Sequence, residues 1–408
     1  MKAVSDFRLA WRNLLRNRRR SAITIVAVGL NTAVLIVALG LIGGFQRLLV
    51  HNATRLVVGD AQLHAVGYLR SHRFHDAIPS PERIVEAASA QGIQAVARAY
   101  GDGLIAAGTK SAGASLWGVE PRAERAAFAL PGEVMAGRFL GDAPAREVVI
   151  GRKLARSLDL DVGGELVAVV QAADGSLGTE VFRVAGILKT VSEEVDRGAV
   201  LIHRADFEAL FVSGGRVHEL AFSLGDRPAA ALGAALGPLP PGLELKTWGE
   251  LLPVVFNLVQ VFEALSLVFM FIFFAAACLG VLNTMLMATH DRVREFGTMK
   301  ALGATAWRIV GDIAAEAFLL GLVATVVGGA LGVSVAWYTQ VHGLDLSVFG
   351  DASFSFGGIA FDALLRGEVV ASSVALAIGA MWLVCVFASL YPAVKAARLS
   401  PVTAMTHV

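Results

Sequence analysis

Apolar residues are unevenly spread along the 408 positions of this chain. A hydrocarbon core of ~30 Å needs about 20 mostly apolar residues in one helix. Four stretches meet that length. The first is SAITIVAVGLNTAVLIVALGLIGGF, residues 21–45. The second falls within 254–289 and is driest over 264–288. The third occupies 309–338, driest after Glu316, and the fourth covers 369–391. Residues 46–250, between the first and second stretches, have a different texture. Prolines, turn residues and short alternating runs recur there in ordinary soluble proportion. The pattern predicts a membrane protein with four transmembrane α-helices and a large extracytoplasmic α/β domain inserted between helices 1 and 2.

Within 46–250, Pro79 and Pro81 introduce PERIVEAASAQG, a helical segment with Ser80 at the N-cap position. Strands are expected at 95–100 and 115–119. REVVIGRKLARSLDLDVGGELVAVV reads as strand, helix over 152–158, Gly163-Gly164 turn and strand. VFRVAGILKT and AVLIHRADF add strands, and RADFEALF opens a helix. Charged side chains scatter here as on a solvated surface.

Charge sets the orientation, because short cytoplasmic loops carry excess Lys and Arg. Residues 1–20 hold Lys2, Arg8, Arg12, Arg16, Arg18, Arg19 and Arg20, and the 290–308 loop holds Arg292, Arg294, Lys300 and Arg308. The 392–408 tail has Lys395 and Arg398. The 339–368 loop has only Arg366 against Asp345, Asp351, Asp362 and Glu368. Both termini are therefore expected in the cytoplasm. Phe7, Trp11, Leu14 and Leu15 at helical spacing among the arginines fit an amphipathic helix lying on the inner leaflet. The 21–45 run is long for a cleaved signal sequence and no clear A-x-A site follows it, so an uncleaved helix is expected.

Composition agrees with a mixture: 55% apolar and 17% charged residues, with a mean hydropathy of +0.63. A net charge of +1 gives no reason to expect a nucleic-acid partner. Cys278 and Cys385 lie in apolar runs, where packing is expected rather than a disulfide or a metal pair. His51, His64, His72, His75 and Asp76 match no strong metal-ligand spacing. Gly103-LIAA-Gly108-Thr109-Lys110-Ser111 comes nearest to a phosphate-binding loop, but Thr109 displaces the lysine by one place. No nucleophile elbow, zinc motif or clearly central membrane charge pair is found, so no catalytic residue and no cofactor are expected in this chain. Asp312 and Glu316 read as helix-start residues beside Arg308. Glu263 reads as interfacial, with a substrate cavity as the alternative. Gly40-x-x-x-Gly44 and Gly328-x-x-x-Gly332 either permit close helix contact or are ordinary membrane glycines.

HDRVREFGTMKALGATAWRIV, between helices 2 and 3, mixes charges with small apolar residues. Such an element either docks into a partner's groove or is a solvated loop with snorkelling arginines. Its core, Arg292-Val-Arg294-Glu295-Phe-Gly297-Thr-Met-Lys300-Ala301-Leu302-Gly303-Ala304, resembles the signature of FtsX-like (MacB/LolC/LolE-type) ABC transporter permeases. LAWRNLLRNRRRSAIT, YPAVKAARLSPVTAM and REVVIGRKLARSLDLDVGGEL are similar to other parts of that family, in the right order. GDAQLHAVGYLRSHRF resembles the lipoprotein-releasing branch.

The resemblance implies a non-catalytic permease in a bacterial inner membrane. Two permease chains, identical or paralogous, would pair with two cytoplasmic ABC ATPases that bind ATP and Mg. MacB-type members carry the ATPase before the first helix, so with only 20 residues there a separate ATPase chain is expected. Force would enter through Arg292, Arg294, Glu295, Gly297, Lys300, Leu302 and Gly303 and move the outside domain. A cavity for a lipid-bearing substrate would draw on Leu35, Leu39 and Ile42 of helix 1 and Val255, Phe256, Val259, Phe262 and Glu263 of helix 2. The implied function is extraction of lipoproteins or similar lipids from the outer leaflet. The alternatives are MacB-like efflux of drugs or peptides from the periplasm and FtsX-like signalling to a periplasmic enzyme. A periplasmic lipoprotein chaperone or an outer-membrane channel would be the further partner.

Overall fold

The computed structural model describes residues 12, 14, 16, 18–189, 192–225, 227–228, 230–345, 353–356, 359–362 and 364–400. Two compact units make up the chain: residues 1–47, 260–348 and 364–408 form one, and 48–259 with 349–363 form the other.

The first unit is helical. Its long helices are α1 (Arg18–Ala53), α2 (Pro253–Asp291), α4 (Ala306–His342) and α5 (Ala371–Ala397), with the short α3 (Val293–Ala301) between α2 and α4; residues 48–53 of α1 and 253–259 of α2 are counted in the other unit. All four long helices are long and apolar enough to cross a membrane. Each except α5 runs well past its driest stretch, because intrahelical hydrogen bonding continues into the polar flanks. The α1 and α4 helices meet through small residues. A Cβ on Gly328 would lie 2.7 Å from the Gly29 Cα, and one on Gly332 would lie 2.9 Å from the Ala33 Cα. Gly40 faces the Glu368 carbonyl, which a Cβ would approach to 3.2 Å, so both glycine pairs serve close packing. The core joins Leu35, Ile36, Val281, Leu320, Met381 and Cys385. Cys278 and Cys385 are free thiols.

Arg12, Leu14 and Arg16 are helical, and Leu14 is buried in that core. Phe7, Trp11 and Leu15 of the expected amphipathic segment lie outside the described residues.

Membrane helices bury their surface unequally. In α2 only 11% of the most apolar window is covered by the chain itself, against 39% in α1 and α4. Leu267, Val268, Phe271, Ile272 and Leu279 are exposed on α2.

The second unit is built around a ten-stranded sheet: β1 (Ala61–Ala65), β2 (Gln94–Ala107), β3 (Lys110–Val119), β4 (Val134–Gly137), β5 (Glu147–Ile150), β6 (Glu165–Gln171), β7 (Leu177–Leu188), β8 (Ala199–His203), β9 (Glu219–Ser223) and β10 (Leu243–Thr247). Six of them close on themselves in the order β2-β3-β8-β5-β7-β6, since β6 pairs with both β7 and β2. Closure leaves no unpaired edge along that ring. Along β6, Leu166, Ala168 and Val170 are buried and alternate with more open positions, as a barrel wall requires. All five residues of β8 are buried.

The strand β2 is longer than the 95–100 run expected from sequence. Its first part, through Arg98, pairs with β9 in a second layer ordered β10-β1-β9-β2. From Ala99 onward it pairs with β3 in the barrel. This shared strand joins the two sheets. The 152–158 helix forms where expected, and Gly163 adopts φ +89° in its turn. Ser80 occupies the N-cap position but makes no side-chain cap bond, its own φ being +49°. The phosphate-loop-like segment is the β2–β3 hairpin, whose strands pair Ala107 with Lys110, and no helix follows it to cradle phosphate.

Candidate functional site

The short helix α3 starts from the physical requirements of its ends. Glu295 lies in its first turn and Lys300 in its last, each complementing the helix dipole. The stop is made by Gly303 at φ +91°, with Ala304 N–H donating to the Met299 carbonyl at 2.9 Å in a Schellman arrangement. One face carries Phe296, buried against Ile309 and Ile313 of α4 and Ala393 and Ala396 of α5. On the outward side Arg294, Leu302 and Gly303 are exposed. Leu302 is 84% exposed and Trp307, at the start of α4, is 81% exposed.

Ion pairs and hydrogen bonds tie this helix and its N-cap residue Arg292 to α4, α5 and Arg16, and a further pair joins α1 to the end of α2. Arg16 Nη2 donates to Glu295 Oε1 at 2.8 Å, and Arg20 Nη1 to Asp291 Oδ2 at 3.2 Å. Arg292 donates from Nε to Glu295 and from Nη1 to Glu316, both at 2.9 Å. Its guanidinium also lies 5.1 Å from the Phe296 ring centre. Burial pushes the Glu295 carboxyl up, but hydrogen bonds from Arg292 and Arg16 prevail and hold it below its ordinary value. Lys300 Nζ donates to the carbonyls of Ala397 and Leu399, the latter at 2.7 Å, capping the C-terminal end of α5.

These contacts divide the residues expected to transmit force. Arg292, Glu295 and Lys300 brace α3 from within, Gly297 is buried at the packed face, and Arg294, Leu302 and Gly303 look outward. Sequence reasoning missed Glu316 as the partner of Arg292, having set it beside Arg308. Arg16, Arg20 and Trp307 were also unassigned. The only sequence signal for Glu316 was a carboxylate at the start of a dry run.

Within the helical unit a cavity of about 250 Å³ is lined by Leu39, Gly40, Gln46, Ser266, Met270 and Glu368, among others. Of the residues expected to line a substrate cavity, Leu39 does so. Leu35 is fully buried in the helix core, Ile42 is half-buried, and Phe262 packs edge-on against Phe45 at 5.0 Å. Val255, Phe256 and Val259 belong to the other unit, and Glu263 is exposed. Glu368 forms an ion pair with Arg47, a polar feature the sequence did not single out.

The α/β unit holds a buried charge cluster. Arg98 grips Glu124 with two hydrogen bonds, at 2.6 and 3.0 Å, and Glu219 with one at 2.9 Å. The Arg98 and Glu124 side chains are 0% exposed. This corrects the expectation that charges in this domain are all solvated. The bidentate pair and the Phe128 ring, 4.6 Å from the guanidinium, offset the desolvation.

Next to it, His218 Nδ1 accepts from the Tyr100 backbone N–H at 3.0 Å, and Nε2 lies 2.8 Å from the Phe74 carbonyl. That fixes a neutral ring protonated on Nε2. Burial lowers the His218 pKa. Tyr68 stacks between His218 and His64, 5.4 and 5.6 Å from them. His64 contacts the His218 carbonyl and Gln62.

Two known families match successive parts of the chain. Residues 21–236 match the MacB-like periplasmic core domain, and residues 267–401 match the FtsX-like permease C-terminal region. Over 414 residues, 97% of this chain and 98% of the other, the chain is 23% identical to the lipoprotein-releasing system transmembrane protein LolE of Haemophilus influenzae. It is 22% identical over 421 residues to LolC of Neisseria meningitidis serogroup B, covering 98% and 99% of the two chains. The periplasmic region of MacB from Actinobacillus actinomycetemcomitans aligns with a TM-score of 0.36 at 14% identity, covering 48% of this chain and 92% of that one.

Proposed function

We propose that this chain, which belongs to the FtsX-like permeases with a MacB-like periplasmic core domain, draws lipoproteins or similar lipid-bearing molecules out of the outer leaflet of the inner membrane. It is an ABC transporter permease, the non-catalytic membrane component. The cargo assignment is supported by relatives that match over their full length and are lipoprotein-releasing transmembrane proteins.

One observation carries the mechanism: Arg16, Arg292 and Lys300 brace α3 to the segment before α1, to α4 and to α5, and Arg20 ties α1 to the end of α2, while Leu302 and Trp307 stand exposed beside it. A separate pair of ATPase chains, binding ATP and Mg, docks on Leu302 and Trp307. Closure of that pair on nucleotide pushes α3, and the buried Arg292–Glu316 pair passes the displacement to α4 rather than letting the loop yield. Arg16 passes it to the segment leading into α1, Lys300 to α5, and the Arg20–Asp291 pair couples α1 to α2. The uncovered face of α2 receives a second permease chain, identical or paralogous, and the lipid-bearing cargo enters beside it. The excess of Lys and Arg in residues 1–20 and 290–308 supports a topology with both termini on the ATPase side.

The test is reconstitution with the cognate ATPase in proteoliposomes carrying a fluorescent acylated lipoprotein. ATP-dependent appearance of the lipoprotein in the soluble fraction with an acceptor protein present is the expected result. Full ATPase activity with the lipoprotein still membrane-bound would overturn the reading.

A further inference from the structure

The α/β unit contains a cavity of about 740 Å³, within the range of roughly 300–1,000 Å³ typical of small-molecule sites. Its lining is aromatic. Tyr68, Phe74, Tyr100, Trp117 and Phe211 all contribute, with the Tyr100 and Trp117 rings 5.4 Å apart and edge-on. Three carboxylates also line it: Asp102, Glu194 and Glu219. No lysine or arginine does so among the described residues. Arg98, which pairs with Glu219 and with Glu124 beyond the lining, neutralises one of their two charges, so that cluster keeps one negative charge.

The Asp102 and Glu194 side chains are exposed and make no hydrogen bond or ion pair among the described residues. Both also line an adjoining recess of about 360 Å³, together with Ser115 and Trp117. Two further groups await a partner. Tyr68 is 4% exposed and Trp117 6%, yet neither the Tyr68 hydroxyl nor the Trp117 indole N–H is hydrogen-bonded among the described residues. Neither atom is among the sealed, unpartnered ones, and both residues line the cavity. Native interiors rarely leave such groups unmatched. Burial raises the Tyr68 and Tyr100 pKa values, so both hydroxyls stay protonated.

An anionic ligand would meet three carboxylates and no cation. A purely aliphatic one would leave the tyrosine, tryptophan and carboxylate groups desolvated and unmatched. Electron-rich ring faces beside free carboxylates suit a positive charge on an apolar body. We propose that this cavity binds an amphipathic organic cation, a protonated amine or quaternary centre on an apolar frame. Asp102 and Glu194 neutralise its charge, while Tyr68, Tyr100 and Trp117 pack against its body. The site goes beyond the cargo reading above and does not depend on it.

The test uses the full-length chain in zwitterionic nanodiscs, with radiolabelled tetraphenylphosphonium as probe and equilibrium dialysis against empty nanodiscs. Tetraphenylborate, of the same shape and opposite charge, is measured separately. Saturable binding of one phosphonium per chain above the empty-disc background is expected, with none for the borate. Asp102→Asn/Glu194→Gln removes two exposed charges and is expected to weaken binding about tenfold. Equal binding of the borate, unchanged binding by the double variant, or no binding above empty discs would each overturn the proposal.

Discussion

Arg292 and Glu316 meet at 2.9 Å across 24 positions of chain, linking the start of α3 to the first turns of α4. The Arg292 side chain is 13% exposed and that of Glu316 6%, so neither charge is well hydrated. A pair of this kind contributes little net stability when intact, but losing one partner strands the other. Arg292→Ala is therefore expected to destabilise the chain by about 3 kcal/mol, and Glu316→Gln by less, because it leaves a surface-linked cation still bound to Glu295. Thermal unfolding in nanodiscs reads both. Equal and negligible losses would show that the pair braces nothing.

Leu302 and Trp307 are apolar and almost fully exposed, so no fold energy depends on them. Leu302→Asp and Trp307→Asp are expected to change stability by no more than about 0.5 kcal/mol. ATPase binding should weaken by at least about tenfold, as for a buried interface anchor. Pull-down of the ATPase chain by each variant checks this. Full retention in both would remove the outward face of α3 from the docking surface.

Gly328 has no room for a side chain, because any Cβ collides with the Gly29 backbone of α1. Gly328→Ala is expected to cost about 1–3 kcal/mol through forced separation of α1 and α4. Gly311, on the same helix, has nothing within 4 Å of its would-be Cβ. Gly311→Ala is therefore expected to be neutral or slightly stabilising, since alanine favours the helix. Unfolding measurements that give the two substitutions equal effects would contradict the close α1–α4 contact.

His218 is buried and neutral, with Arg216 and His64 opposing its protonation and Asp76 and the Phe74 carbonyl favouring it. The unfolded ring titrates at its ordinary 6.5, whereas burial holds the folded value lower. As pH falls through 6.5 the unfolded chain binds a proton that the folded one refuses. Stability is thus greatest above 6.5, declines on acidification and levels off below the folded pKa. His64 is shifted the same way, burial outweighing Glu219. The apparent Tm is expected to fall on the order of 3 °C between pH 7.5 and 5.5. His218→Gln should flatten that dependence, and a Tm independent of pH in the parent chain would refute it.

The four membrane stretches were legible because apolar length alone marks them. The 152–158 helix was legible because a strand and a glycine turn bracket it. The closed barrel was not, since Gly103–Ala106 pairs with Val167–Val170 far along the chain, and local periodicity holds no register. Arg98, Glu124 and Glu219 each look like surface charges in sequence and become a cluster only when β2, β9 and the 121–127 helix pack together. At α3 the residue types were legible, but not their direction. Arg292 and Lys300 point into the brace, and the exposed apolar contacts fall to Leu302 and Trp307. The carboxylates and rings of the large cavity come from six separate stretches, and no spacing rule joins them.

In the proposed mechanism α3 couples ATP hydrolysis to movement of cargo. The number of lipoproteins released per ATP hydrolysed, in proteoliposomes containing the parent chain or Glu295→Lys, tests it most directly. Lysine at 295 faces Arg16 and Arg292 with like charge, so hydrolysis should persist while release per ATP falls about tenfold. An unchanged ratio, with the variant folded and bound to its ATPase, would contradict the account.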